Sequence, residues 1–376
     1  MVFAAAAALA IVFPRTPSIS TDHPILAAGH GLLPVGFSSL PGIEDDDLTG
    51  PFAAFLRSCG NGGSDALASA CARAAALDSP VDAAAARAFF KDHFQAYRID
   101  LADDEAVITA YYEPVVAGSR RKTADFPTPL YPLPSDFVRV TEENRPEGWD
   151  DTLSWGRRTS SGLVPTPTRA EIDAGALGDR LAPLIYVADP IEAFYIHIQG
   201  STRIALTDGS TVRIGYAGKN GHPYSSVGKA MMDRGIRPEG GFSMDSMRAY
   251  FHADLDRARD LMHINKSYIF FREIKDLPAD LGPIGGEGVP LTAGRSIAID
   301  TRYHAYGTPI FIDSQPQIGD NRAPAPFRRL MIAQDTGSAI KGPARADLFW
   351  GTGEAAGSMA GGIKAGGTFY VLLPKD

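Results

Sequence analysis

The chain has 376 residues, 44% of them apolar and 21% charged, and a formal net charge of −8. That length favours two domains and buries an ample core with no metal or disulfide needed as a staple. The acidic balance, unrelieved by any basic run, argues against nucleic acid as a partner, since such binding needs a cationic footprint. From the N-terminus, the apolar run Val2–Phe13 suits an export-signal core and is too short to span a bilayer. A buried N-terminal helix fits the same run, because no basic residues precede it. No lipid-site cysteine follows it.

Residues 40–100 are expected to be helical. In SPVDAAAARAFFKDHFQAYRI, Ser79 is a plausible N-cap, Pro80 the first helical residue and Asp82 the completion of a capping box. Ala86, Phe89, Phe90 and Phe94 follow helical spacing. The two cysteines, Cys59 and Cys71, stand twelve apart across a glycine-rich stretch, so they either close a disulfide or sit as buried thiols. No Cys/His set points to a metal, and no cofactor is expected.

From about Ala106 the pattern becomes that of a strand, AVITAYYEPVV, followed by the loop-rich FPTPLYPLP and a polar 141–168 carrying Trp149 and Trp155. Residues 184–224 read as successive strands, with Asp208-Gly209 at a hairpin turn. His197 alternates with apolar neighbours there and reads as a strand surface residue. Helical patterns return over 225–262, and KSYIFFREI reads as a strand again. GPIGGEGVP, 282–290, has linker composition, and short strands with glycine turns complete the chain. The class is mainly β with helical excursions.

Three aspartates invite chemistry. Asp300 ends the apolar run SIAI, Asp335 ends MIAQ, and Asp347 precedes LFWG. Strand ends gathered on one side of a barrel often carry catalytic groups, yet aspartates there also simply bind turn amides. The DTGS turn at 335–338 is like that of aspartic proteases, which need two such turns. The only other candidate, Asp300-Thr301-Arg302, has arginine for glycine and lies too near to separate two lobes.

Six blocks in order, YYEPVVAGS (111–119), IHIQGSTRI (196–204), YAGKNGHPYSSVGKAMMDRG (216–235), NKSYIFFRE (265–273), VPLTAGRSIAIDTR (289–302) and AQDTGSAIKGPARADLFWGTG (333–353), closely resemble the membrane-bound lytic murein transglycosylase A family. The resemblance implies two domains with a glycan-binding groove between them. One is a double-psi β-barrel built from 19–118 and 283–376, carrying the three-aspartate region. The other is a smaller β domain over 119–282, and residues 1–18 form a targeting segment. It further implies an exported, periplasmic, monomeric enzyme that cleaves peptidoglycan strands without water and works with cell-wall synthesis or lysis complexes. Asp347 takes the position of the single acid/base, with Asp335 and Asp300 in support, and Asp335 is the competing choice of catalyst. By position and chemistry, Tyr111 and Tyr112 suit sugar stacking. Gln199, Gly200 and Ser201, read as a strand end, together with Tyr216, Lys219, Asn220 and Lys341 are expected along the groove.

An acid of this kind must stay protonated near neutral pH. Burial against Phe349 and Trp350 and repulsion from Asp300 and Asp335 are expected to raise Asp347, while Lys341 and Arg345 would oppose them if they point inward. Two alternatives compete: a hydrolytic muramidase with Asp347 as acid and Asp335 or Asp300 as base, and a catalytically silent glycan-binding double-psi barrel.

Overall fold

The structure is a computed structural model that describes residues 20–61, 64–102, 104–178, 181–319 and 323–375. The expected targeting segment lies outside the described residues. The N-terminal part contributes α1 (Pro24–Ala27), β1 (Gly31–Val35), α2 (Thr49–Gly60), α3 (Ala68–Ala75), α4 (Ala83–His93), β2 (Phe94–Asp100) and β3 (Val107–Glu113). The middle begins with β4 (Val115–Ser119), β5 (Thr128–Leu130), β6 (Phe137–Arg139), β7 (Trp155–Thr159), β8 (Gly162–Pro165), α5 (Arg169–Asp173) and β9 (Ile185–Val187). It continues through α6 (Pro190–Gln199), β10 (Ser201–Leu206), β11 (Thr211–Lys219), α7 (Val227–Asp233), α8 (Met244–His252), α9 (Leu255–Met262) and β12 (Ile269–Ile274). The chain ends with β13 (Ser296–Ala298), β14 (Pro309–Ser314), β15 (Phe327–Asp335), β16 (Arg345–Thr352), α10 (Glu354–Ala360), β17 (Lys364–Ala365) and β18 (Gly367–Pro374).

These strands form mixed sheets. The largest has the order β1-β2-β18-β14-β15-β13-β16-β3-β17, so it draws on both ends of the chain. The second, β12-β11-β10-β4-β9-β5, belongs wholly to the middle, as does the small sheet β6-β7-β8. The chain crosses from the first sheet to the second at Pro114, because β4 pairs with β10 and β9. That crossing lies ahead of the boundary expected at 118.

Two interiors flank the large sheet. On one side Phe52, Phe55, Phe89, Phe90 and Phe94 cluster with Leu330 and Ile332. On the other side Met331 and Ala333 join Ile297, Ile299, Ala346 and Leu348. The alternation along β15 and β16 is the period of two expected of strands with both faces covered. A smaller third cluster holds Tyr111, Leu291, Ala298, Ile340 and Phe349.

Several local expectations are corrected. The first residue of α4 follows Asp82, whose side chain accepts from Ala85 N at 2.8 Å, so Asp82 and not Ser79 is the N-cap. Phe94 starts β2, which pairs with β18, so residues 94–100 are strand. The polar stretch 141–168 contains the hairpin β7-β8. The β-branched and aromatic run PIEAFYIHIQ is helix α6, capped by Asp189, opened by Pro190 and closed by Gly200 at φ 86°. Its start is a favoured helix opening that outweighs the strand-like composition. His197 is therefore a buried helical residue, touching Arg169 through Nδ1 at 3.2 Å. Cys59 and Cys71 are joined as a disulfide. The hairpin at Asp208-Gly209 joins β10 to β11 as expected.

Candidate active site

The central strand β13 brings two carboxylates together. Ala298 is paired with Asp335 on β15 and with Asp347 on β16, so the two aspartates flank one small residue. Strand spacing places their backbones roughly 10 Å apart. A register shift between Ile297 and Ala298 makes this possible. Ile297 faces Ala333, and regular alternation would next set Gln334 opposite Ala298. The shift passes over Gln334, whose amide stays buried on Ala54 O and Ser58 Oγ, and delivers Asp335 instead. Bulges re-aim side chains in this way.

The two carboxylates are held differently. Asp335 accepts Tyr111 Oη at 2.5 Å on Oδ2, and Gly286 N and Thr336 N, both at 2.8 Å, on Oδ1. Asp347 accepts from Thr109 Oγ1, its partner in the parallel pairing with β3. Thr109 Oγ1 in turn accepts Arg345 Nη2 at 2.8 Å. Burial is the main influence on both and raises both pKa values. For Asp335 the three donors act downward, and the Asp347 charge adds to the rise. For Asp347, Arg345 and then Thr109 oppose burial. Asp347 thus keeps the freer carboxyl of the pair.

Asp300 stands apart. It is buried, and burial pushes its pKa up, but Arg302 and the Gly342 and Arg302 amides outweigh that and bring it to about 2. Arg302 Nη2 lies 2.5 Å and Gly342 N 2.9 Å from Oδ2. With His304 Nε2 2.7 Å from Pro343 O, this ties down the chain between β15 and β16. Neither Asp300 nor Asp335 is a cause of the Asp347 shift, which corrects both parts of that expectation; the repulsion within the pair acts on Asp335. Trp350 is a second correction. Phe349 shares the face of Asp347 and packs on Tyr111 with ring centroids 5.4 Å apart, whereas Trp350 turns to the opposite interior. Arg345 points inward, as the opposing influence requires, while Lys341 is exposed.

The other expected residues divide by burial. Tyr111 is enclosed, with its hydroxyl on Asp335, and Tyr112 is buried with its hydroxyl accepting Arg248 Nη2 at 3.1 Å, so neither ring presents a face to a sugar. Gln199 accepts Tyr112 N at 3.0 Å from the last turn of α6. Gly200 is the left-handed helix cap and Ser201 opens β10, so the three mark a helix end and not a strand end. Asn220 is fully buried and spends its amide on Pro167 O, Lys266 O and Tyr268 N, each at 2.9 Å. Tyr216, 40% exposed, is the open aromatic among the expected groove residues. Lys219 Nζ reaches Ser338 Oγ at 3.1 Å, linking the second sheet to the turn after Asp335.

Sequence reasoning did not single out Thr109 or Gly286, because both act through pairings between distant segments. A cleft of about 220 Å³ lies between the helices of the middle segment and the large sheet, walled by Ala110, Phe194, Tyr224, Phe242, Met247 and Ile363 among others, and neither aspartate lines it. Tyr224 is raised by burial first, and the charge of Asp347 adds to it. Among the described residues no group of three His, Cys, Asp or Glu side chains is arranged to hold a metal.

Residues 107–272 match the model of the MltA specific insert domain, and 295–373 match that of the 3D domain. The chain is 31% identical over 284 residues to membrane-bound lytic murein transglycosylase A of Escherichia coli strain K12, covering 74% of this chain and 68% of that protein. It belongs to the membrane-bound lytic murein transglycosylase A family. The crystal structure of a membrane-bound lytic murein transglycosylase from Agrobacterium tumefaciens superposes with a TM-score of 0.82 at 33% identity, covering 92% of this chain and 98% of that one. E. coli MltA with bound chitohexaose superposes at 0.68 with 27% identity, covering 92% and 95%. The lytic transglycosylase A family blocks at 289–302 and 333–353 are the ones that supply Asp300, Asp335 and Asp347.

Proposed function

We propose that this chain is a peptidoglycan lytic transglycosylase that cleaves the bond from N-acetylmuramic acid to N-acetylglucosamine with Asp347 as its single acid and base. The observation that carries the reading is the unequal pair across Ala298. Burial raises both, but Asp335 is held by three donors while Asp347 accepts from Thr109 alone among the described residues. A carboxyl kept protonated in a half-closed site is a competent general acid.

The steps balance on one proton. Asp347 gives its proton to the departing O4 of N-acetylglucosamine as the C1–O4 bond breaks. The C6 hydroxyl of the same muramyl residue then closes on C1, and its proton passes to Asp347, which returns to its starting state. Attack within one bound sugar gains from proximity and needs no second carboxylate or water. Asp335, pinned by Tyr111 and the Gly286 amide, orients the turn beside the reaction. Tyr216 offers an open ring to a pyranose, and Lys219, Lys341 and Gln199 border the same region.

The domains in this reading are a double-psi barrel of 19–118 with 283–376, supported by the parallel pairs β13–β15 and β3–β16 in one sheet, and an insert over 119–282. The enzyme is exported and acts in the periplasm on glycan strands as a monomer, alongside cell-wall synthesis or lysis complexes. Among the described residues no helix is long and apolar enough to cross a membrane.

Mass spectrometry of products from purified peptidoglycan tests the mechanism. Anhydromuramyl products lost with Asp347→Asn and retained with Asp335→Asn support it. Loss with Asp335→Asn alone moves the catalyst to the DTG turn. Reducing ends mean a hydrolase, and uncleaved but bound glycan means a binding module.

A further inference from the structure

Three cations gather about the turn that follows Asp335, each from a different element. Arg139 ends β6, Lys219 ends β11, and Lys341 lies in the turn between β15 and β16. Lys219 Nζ donates to Ser338 Oγ at 3.1 Å, which seats its ammonium on the turn that carries Lys341. The guanidinium of Arg139 lies 5.6 Å from the ring centre of Trp155. That indole packs against Gly218, where an added Cβ would come within 3.0 Å of it, and Gly218 precedes Lys219. Arg139, Trp155 and Lys219 are therefore contiguous.

The three charges also influence one another. Lys219 is lowered by burial first and then by Lys341 and Arg139. Tyr306 is pushed up to about 12 by burial, then by Asp335 and Glu287, with Arg139 acting against them, so Arg139 acts on the Asp335 side of the site. Other cations at the sheet junction are neutralised: Arg203 and Arg213 by Glu113, Arg248 by Glu192, Arg302 by Asp300. Among the described residues, no carboxylate lies within ion-pair distance of Arg139, Lys219 or Lys341. In a chain of net charge −8, an unneutralised positive cluster on the turn after Asp335 is a place for an anion.

We propose that Arg139, Lys219 and Lys341 form a rim that binds a carboxylate carried by the glycan next to the scissile bond. This rests on the peptidoglycan reading above and adds a specificity to it. N-acetylglucosamine is neutral. N-acetylmuramic acid bears a lactyl ether that ends in a carboxylate when free and in an acidic peptide when substituted. Both sources present the same group, and an arginine with two lysines suits it through charge-assisted hydrogen bonds. Such a rim selects muramyl-containing strands over a uniform N-acetylglucosamine chain and fixes which sugar lies at the cleavage position.

The test is a titration of the Asp347→Asn protein, which keeps the ligand whole, with three hexasaccharides: chitohexaose, a peptide-free alternating N-acetylglucosamine/N-acetylmuramic acid oligomer, and the same oligomer with peptide stems. The muramyl ligands are expected to bind about tenfold tighter than chitohexaose at low salt, a factor typical of a partly exposed charge-assisted contact. The preference should shrink near ~1 M salt, where exposed charges are screened within a few ångströms. Adding Arg139→Gln or Lys341→Gln should cut the ratio of muramyl to chitohexaose affinity by about two- to threefold each. A gain with the peptide-free oligomer names the lactyl carboxylate as the ligand, and a gain only with stems names the peptide. Equal affinity for all three glycans, or a preference untouched by both substitutions, overturns the rim and leaves the transglycosylase reading standing. No binding to any glycan overturns both.

Discussion

Removing the Thr109 hydroxyl is the most direct probe of the acid. Thr109 Oγ1 donates to Asp347 and thereby favours its charged form. A hydrogen bond to a charged group is worth roughly 1.5–3 kcal/mol, which at about 1.4 kcal/mol per pH unit bounds the effect at about one to two units. Asp347 is only half-buried, so water recovers part of this and about one unit is expected. In Thr109→Val the carboxyl stays protonated to higher pH, and the alkaline limb of the kcat profile for anhydromuramyl product moves up by that amount. The acidic limb and the product identity should stay as they are. The assay is the rate of soluble product release from peptidoglycan between about pH 4 and about pH 9, with products weighed at each end. A limb that stays in place, or one that moves down because Arg345 swings directly onto Asp347, refutes the role given to Thr109.

Further predictions concern the frame around the site. The folded pKa of Asp300, about 2, lies below its ordinary 3.8, so its ion pair stabilises the fold above the ordinary value, and that contribution is lost as pH falls through about 2. Asp300→Asn should therefore cost on the order of 2 kcal/mol at pH 7 by urea unfolding and far less near ~pH 2, and a deficit equal at both pH values would be wrong for this origin. Glu113 lies buried with Arg203 Nε at 2.7 Å and Arg213 Nη2 at 3.2 Å, at the crossing between the two sheets. Glu113→Gln should lose about 3–5 kcal/mol by leaving two guanidinium groups without their counter-charge, and an unchanged urea midpoint would remove it as a clamp. Replacing both Cys59 and Cys71 by alanine should lower stability by about 2–3 kcal/mol with cleavage retained, measured as Tm alongside activity.

The order of elements could be read from the chain where local chemistry decides it. The hairpin at Asp208-Gly209, the helices across 225–262 and the strand ending at Asp335 rest on turn residues and periodicity. Where composition and punctuation disagree, punctuation decides the element. In α6 the β-branched and aromatic content suggested a strand, yet Asp189-Pro190 and Gly200 are the cap signals of a helix. Period two alone separates Trp350 from Asp347 and Phe349, so the packing of Trp350 on the other interior is legible in the strand itself.

What sequence reasoning had no access to is the register between segments far apart in the chain. Thr109 meets Asp347 only because β3 and β16 run parallel in one particular alignment, and sliding that pairing by one residue would present Ile108 or Ala110 instead. The Asp335 position depends on a bulge whose extra residue, Gln334, is held by α2 through Ala54 O and by Ser58 Oγ, with Ser58 in turn on Glu287 at 2.7 Å. The geometry of the carboxylate pair is thus maintained by a buried polar contact on the reverse face of the sheet. Gln334→Leu would leave Asp335 in the sequence and remove the polar contacts that hold the bulge. Regular pairing would then set the substituted leucine toward Ala298 and turn Asp335 away, so activity should fall far more than stability does.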